Sequence, residues 1–172
     1  IGSSLVGSEM CIRDSTMVAD NLKFSGAVSL QSKGDGALTR SLAECRDQHY
    51  LRGIAHVATD KAADIRSSNL ADWLGNGQLA LSLLPDKSTR MNPYQGLVEI
   101  NPAGLAASLE GYFQNSEQLR TRLHFASLDG TTTGLLLQRL PDAPEATEVS
   151  IAAADDDWLT LTTLAASVTT EE

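Results

Sequence analysis

The sequence has few cysteines, no long apolar run and no basic residue in its last part. Two cysteines, Cys11 and Cys45, are too few for a disulfide framework or a four-thiolate zinc site. We therefore expect a reducing compartment, and predict a cytoplasmic protein. No stretch approaches the ~18 consecutive apolar residues that a membrane-spanning helix needs, so we expect no membrane partner.

The net charge of −9 is concentrated at the C-terminal end. The chain up to Arg139 contains 14 acidic and 13 basic residues, whereas the segment from Leu140 onwards contains 8 acidic residues and no basic one. Neither part has the clustered lysines and arginines that neutralise phosphate groups. We therefore expect neither a nucleic acid nor an anionic membrane surface as a partner.

Alternating apolar and polar residues predict an antiparallel sheet with few helices. A short helix is expected near residues 70–74, and a second, packed helix is expected to begin with Asn101 as N-cap and Pro102 at its first position. A third helix is predicted over residues 152–168, with aspartates 155–157 in its first turns. The predicted strands cover residues 24–31, 38–45, 49–57, 78–84, 94–100, 121–128 and 134–140. This pattern predicts an α+β fold with a largely antiparallel sheet.

The sequence contains no strong motif for phosphate binding, catalysis or metal binding. The clusters Gly34-Asp35-Gly36 and Gly75-Asn76-Gly77 each have two glycines, but neither continues into a phosphate-binding motif. Enzymatic catalysis is disfavoured because no serine-hydrolase elbow occurs, and we predict no catalytic residue. The potential metal ligands, which form no convincing site by spacing, are Cys45, His49, His56 and His124.

Glycines inside predicted strands leave a further alternative open. Gly53 and Gly96 each interrupt a strand pattern, which is typical of a bulge or of close backbone approach. Core packing and sheet curvature explain them simply. An apolar binding surface is the second interpretation, and the sequence alone does not separate the two.

Several short segments occur in a fixed order along the chain. They are LKFSG at residues 22–26, GDG at 34–36, LRG at 51–53, LGNGQL at 74–79, YQGLV at 94–98, LEGYFQNSEQL at 109–119 and GLLLQRLP at 134–141. In this order and spacing they resemble the thirty-three-kilodalton heat-shock chaperonin family, the redox-regulated holdases of bacteria. The resemblance implies an α+β body that binds unfolding or oxidatively damaged proteins without ATP. It also implies a C-terminal module that holds zinc through four cysteines, in a Cys-x-Cys and a Cys-x-x-Cys pair. Oxidation of those cysteines would release zinc and favour a homodimer.

The sequence departs from the family pattern at three places. It ends at Glu172 before any of the four switch cysteines, it carries Arg120 where the family usually has proline, and its first residues differ from the family's opening elements. Residues 4–15 resemble translated sequencing-adaptor text, which would leave Cys11 without a biological role; a native disordered tail is the alternative.

These observations predict three regions and one leading function. Residues 1–16 are expected to be a non-native, adaptor-like leader, and residues 17–141 an α+β chaperone body that is incomplete at its N-terminus. Residues 142–172 are expected to form an acidic linker and helix that lead to a missing zinc-binding redox switch. Zinc is expected in the full-length family member and not in this fragment. The leading hypothesis is a redox-regulated, ATP-independent holdase, and the alternative is a non-catalytic dimerisation or interaction module.

Overall fold

The computed structural model describes residues 25–47, 50–63, 65, 69–86, 90, 92–128 and 131–167. The chain divides into two compact units, Ile1–Leu109 and Glu110–Glu172. In chain order, the elements of the described residues are β1 (Gly26–Gly34), β2 (Leu38–Arg46), β3 (Tyr50–Val57), α1 (Thr59–Ala62), α2 (Leu70–Leu74), β4 (Gly77–Pro85), β5 (Tyr94–Val98), α3 (Leu105–Ser116), β6 (Thr121–Leu128), β7 (Thr131–Gln138) and α4 (Glu148–Ser167).

The first unit contains a five-stranded sheet in the order β3-β2-β1-β4-β5. Every neighbouring pair in this sheet is antiparallel. Alternating sequences joined by short turns favour this arrangement, because two adjacent strands can be joined without a crossover helix. The predicted α+β class with a largely antiparallel sheet is confirmed.

One face of the five-stranded sheet is the apolar core of the first unit. Leu30 on the central strand lies opposite Ala43 on β2 and Leu81 on β4, and all three side chains are buried. Cys45 lies on the same face and is 1% exposed. Two buried serines on this face, Ser32 and Ser41, lie with their hydroxyl oxygens 2.6 Å apart. The polar atoms in this core are therefore paired with one another.

The short helix α2 was predicted and is present. The side chain of Asn69 accepts a hydrogen bond from the backbone N–H of Ala71, so it caps the helix at its N-terminus. Gly75 follows the helix with a φ of 64°, a conformation that glycine adopts without strain. The one-turn helix α1 was not predicted, because four residues show no apolar periodicity.

The predicted start of helix α3 was wrong. Asn101 and Pro102 were expected to open the helix, but it begins at Leu105. The Asn101 side chain instead accepts a hydrogen bond from the N–H of Ala103, and Gly104 has a φ of 121°. This backbone conformation separates a local turn from the helix. The sequence places four apolar residues at i, i+4, i+7 and i+8, which predicts one apolar helix face. This face is confirmed, since its four members are buried: Leu105, Leu109, Tyr112 and Phe113.

The second unit contains the β6–β7 hairpin and helix α4. The helix begins at Glu148, four residues before the predicted start, because Thr147 and Ser150 cap it. The backbone N–H of Thr147 donates to the Ser150 hydroxyl, and the N–H of Ser150 donates to the Thr147 hydroxyl. The prediction that aspartates 155–157 lie in the first turns was therefore wrong, and Glu148 is the acidic residue of the first turn.

No helix in the part of the chain that the structure describes is long and apolar enough to cross a membrane. The leader predicted for residues 1–16, Cys11 and His49 all lie outside the described residues. The predicted boundary between residues 141 and 142 stays a prediction.

Candidate functional site

The two glycine clusters singled out in the sequence meet in the first unit. The Asp35 carboxylate accepts hydrogen bonds from the backbone N–H and the side-chain amide of Asn76, at 2.8 and 3.1 Å. The N–H of Gly36 donates to the carbonyl oxygen of Leu74 at 2.8 Å. The Lys61 ammonium donates to the carbonyl oxygen of Asp35 at 2.7 Å. The β1–β2 turn is therefore held against the end of helix α2.

Close packing at this junction explains why the two clusters contain glycine, and no bound phosphate is needed to explain them. A Cβ added at Gly34 would lie 2.2 Å from the carbonyl oxygen of Leu74, and one added at Gly36 would lie 2.5 Å from that of Trp73. The amide of Asn76 lowers the pKa of the Asp35 carboxyl by donating to it, and the backbone N–H of Asn76 adds to this effect. Since N–H groups that could bind phosphate are used inside the protein, the junction is structural.

The potential metal ligands do not come together. Cys45 is buried on the core face of the five-stranded sheet, whereas His56 is exposed on the opposite face. His124 belongs to β6 in the second unit. Among the described residues, no group of three His, Cys, Asp or Glu side chains is placed to hold a metal ion.

The second face of the five-stranded sheet, here called the open face, is the candidate functional surface. A concavity of about 400 Å³ lies on it. At one end is the basic row, formed by Lys33, Arg40 and His56 on three neighbouring strands. Beside it runs the apolar row, formed by Ile54, Leu42, Ala80 and Leu97, with Gln31 at its centre. These residues line the concavity.

A polar row lies beyond the apolar row and is satisfied internally. Glu44 is paired with Arg52 at 2.8 Å, although Glu44 is only 8% exposed. The Gln95 amide donates to the Ser82 hydroxyl at 2.9 Å. Because these groups already have partners, the polar row contributes to the sheet rather than to a binding site.

Exposed apolar side chains lie on both outer strands of this sheet. On β3, Tyr50 is 72% exposed and Ile54 is 52% exposed, and on β5, Leu97 is 71% exposed. Large apolar side chains grouped on one surface are typical of surfaces that bind other proteins. The open face therefore has the chemistry of a shallow protein-binding surface rather than of an enclosed small-molecule pocket.

In the second unit, Asp155 joins helix α4 to the residues that flank the hairpin. Its carboxylate accepts hydrogen bonds from Arg120, at 2.6 Å, and from Arg139. Arg139 also donates to Asp142 at 3.0 Å. The hydrogen bond from Arg120 lowers the pKa of Asp155, and the charge of Arg139 lowers it further. The carboxylate is therefore ionised and bound by two cations.

Comparison with known proteins gives this geometry a context. The sequence profile of the family described as Hsp33 protein matches residues 4–172. This chain belongs to the Hsp33 family. It is 34% identical over 156 residues to the 33 kDa chaperonin of Nitrosococcus oceani, covering 91% of this chain and 49% of that protein. It is 37% identical over 160 residues to the 33 kDa chaperonin of Pseudomonas syringae pv. syringae, with coverage of 91% and 49%.

A solved structure has the same fold. The crystal structure of the 33 kDa chaperonin of Thermotoga maritima matches with a TM-score of 0.57 and 20% identity, and covers 78% of this chain and 47% of that chain. The chain spans about half the length of the curated Hsp33 relatives it matches. The predicted family is confirmed. The names of these relatives are those of chaperonins rather than enzymes, in agreement with the prediction that this protein is not an enzyme.

Sequence reasoning missed the basic row of the open face. Lys33, Arg40 and His56 are far apart in the sequence and form no cluster there. The signal that could have found them is the short turn at residues 35–37, which places Lys33 opposite Arg40 once both strands are assigned. The glycine Gly53 does not mark a bulge, since it pairs regularly with Ala43, and the register shift of this strand pair lies between Leu38 and Arg40.

Proposed function

We propose that this protein is the body of an ATP-independent holdase, which binds unfolding proteins and prevents their aggregation. The observation that carries the proposal is the open face, where Ile54 and Leu97 are exposed on a sheet that has a core on its other side. Burial of apolar surface is non-directional, so such a face can bind clients that share no sequence. The relatives named 33 kDa chaperonin support a chaperone activity.

Redox regulation and a homodimer in the active state are part of this proposal for the full-length protein. The described residues themselves do not fit a zinc site, because Cys45 is buried in the core and no ligand cluster surrounds it. In this proposal zinc therefore belongs to the full-length protein and not to the described residues of this chain. A cytoplasmic location, which supplies the reducing conditions for such a switch, completes the proposal.

The test measures light scattering from a heat-unfolded client enzyme without ATP. The full-length gene product is compared after peroxide treatment and after reduction. We expect the oxidised protein to suppress scattering, and the double substitution Ile54→Ser and Leu97→Ser to weaken the suppression severalfold. Leu140→Ser is the matched control, since Leu140 is 77% exposed but does not belong to the open face.

Two results would contradict the proposal. Full aggregation of the client in the presence of the oxidised wild-type protein would exclude a holdase activity. The alternative of a dimerisation module would be favoured by a dimer that forms equally well with and without client and does not suppress client aggregation. Size-exclusion chromatography at two protein concentrations separates these outcomes.

A further inference from the structure

Three basic side chains lie side by side on the open face. Lys33 on β1 is paired in register with Arg40 on β2, and Arg40 is paired with His56 on β3. Residues that pair directly across antiparallel strands project from the same face of a sheet. All three residues are exposed. Lys33 and Arg40 therefore present two positive charges to solvent on neighbouring strands, and the His56 imidazole lies beside them on the third strand.

The sheet itself does not neutralise this row. Like charges directly opposite each other on neighbouring strands destabilise a sheet. Of the carboxylates close by in sequence, Asp35 is bound by Asn76, and Glu44 is paired with Arg52. Within the residues that the structure describes, neither Lys33 nor Arg40 forms an ion pair. An anion from another molecule would relieve this repulsion.

The neighbouring apolar row restricts what that anion can be. Leu42 follows Arg40 by two residues, and Ile54 precedes His56 by two, so the two rows are separated by roughly 6.6–6.8 Å. An extended peptide lying along the strands repeats its side chains on one face at the same distance. A peptide with a carboxylate at one position and an apolar side chain two positions away matches both rows. A free inorganic anion would fill the basic row alone.

We propose that the concave open face selects extended acidic segments, with a carboxylate on Lys33, Arg40 and His56 and an apolar side chain on Leu42 and Ile54. This inference rests on the proposed function and names the class of client segment that the face binds. Electrostatic attraction supplies the selectivity, and apolar burial supplies affinity that does not depend on charge.

The test uses blocked ten-residue peptides in which Glu and Leu are separated by one serine. Matched peptides carry Gln or Lys in place of Glu, and binding to the full chain is followed by fluorescence anisotropy. We expect the Glu peptide to bind roughly fivefold tighter than the Gln peptide and the Lys peptide to bind most weakly. The preference should shrink as salt is raised, because exposed charges are screened.

Substitutions test whether the preference for the Glu peptide arises at the basic row. Lys33→Gln with Arg40→Gln should remove the difference between the Glu and Gln peptides. Arg46→Gln with Arg90→Gln removes the same charge from the first unit. Neither residue lines the concavity or takes part in the Asp35 junction, so this control should retain the preference. Both double variants should melt close to the wild type, since all four side chains are exposed.

Two outcomes would overturn the inference: equal binding of the three peptides, or loss of the preference in the control variant. Aggregation assays distinguish the proposed holdase function from the proposed selectivity for acidic segments. Lys33→Gln with Arg40→Gln should still suppress aggregation of a basic client. If the wild type suppresses no client but retains the peptide preference, the proposed function fails and the charge selectivity stands.

Discussion

The Asp35 carboxylate accepts a hydrogen bond from the backbone N–H of Asn76 at 2.8 Å, across 41 residues of sequence. This contact joins the β1–β2 turn to the turn that follows helix α2. The glycines at positions 34 and 36 allow the two backbones to approach, since any side chain there would meet the backbone of α2. The junction therefore fixes one end of the open face, where Lys33 enters the concavity.

Gly36→Ala should destabilise the first unit. The added Cβ would lie 2.5 Å from the carbonyl oxygen of Trp73 and 2.7 Å from the carbonyl carbon of Leu74, both of which are backbone atoms. Relief requires the turn and the helix to separate, and overpacking of this kind costs about 1–3 kcal/mol. Urea unfolding monitored by circular dichroism measures the change. A midpoint equal to that of the wild type would show that the junction accommodates the added methyl group without loss of stability.

Gly111→Ala is the matched glycine substitution and should stabilise the protein. Gly111 lies inside helix α3, and a Cβ built there meets no atom within 4 Å outside the helix's own backbone. Alanine in a helix interior is favoured over glycine by about 0.5–1 kcal/mol. The same urea experiment should therefore show a higher midpoint. A lower one would indicate that the position contacts a surface that only glycine accommodates.

The strands could be predicted from sequence because their signal is local. Alternation of apolar and polar residues identified the first two strands, apolar runs between turn residues identified the other five strands of the described residues to within a few residues, and short turns indicated antiparallel pairing of the first three. The start of helix α3 could not be predicted in the same way. Asn101 and Pro102 form a regular helix-opening signal, but the backbone at Gly104, with a φ of 121°, breaks the path between them and Leu105.

Contacts between residues far apart in the chain could not be predicted from local patterns. In the second unit, the sequence predicts Asp155 as a helix-dipole residue, whereas its partners are Arg120 and Arg139, which are 35 and 16 residues away. The basic row likewise arises from strand register. Its members become neighbours when Lys33 pairs with Arg40 and Arg40 with His56. Local patterns carry no information about such pairings until the sheet order is known.

His124→Phe should stabilise the second unit. The Nε2 atom of His124 is buried and has no hydrogen-bond partner among the described residues. A buried polar atom without a partner costs about 1–3 kcal/mol, so phenylalanine should raise stability by about 1 kcal/mol. Thermal melting is the measurement. His56→Phe is the control, since His56 is exposed, and it should change the melting temperature little. A lower melting temperature for His124→Phe would indicate that the imidazole forms a stabilising hydrogen bond in solution.

Asp155→Asn should loosen helix α4 from the hairpin. The substitution removes the negative charge that pairs with Arg120 and Arg139, both of which donate to the Asp155 carboxylate. Exposed ion pairs are weak, so amide hydrogen exchange in Glu148–Ser167 should accelerate by roughly twofold to fivefold. Asp156→Asn removes the same charge from the adjacent position and should leave exchange unchanged. Equal acceleration in both variants would assign the effect to net charge.

Acid should reproduce the effect of Asp155→Asn. Because the pKa of Asp155 in the folded protein is lowered from its ordinary value of 3.8, mainly by the hydrogen bond from Arg120, the unfolded state binds the proton more readily. The stabilisation is therefore complete above pH 3.8 and is lost as the pH falls from that value through the lowered pKa. Exchange in helix α4 should be independent of Asp155 ionisation between pH 5 and 7, after correction for intrinsic exchange rates, and should accelerate below about pH 4 in the wild type. Asp155→Asn should show less of this acid acceleration, and an identical acid response in the two proteins would place the titrating group elsewhere.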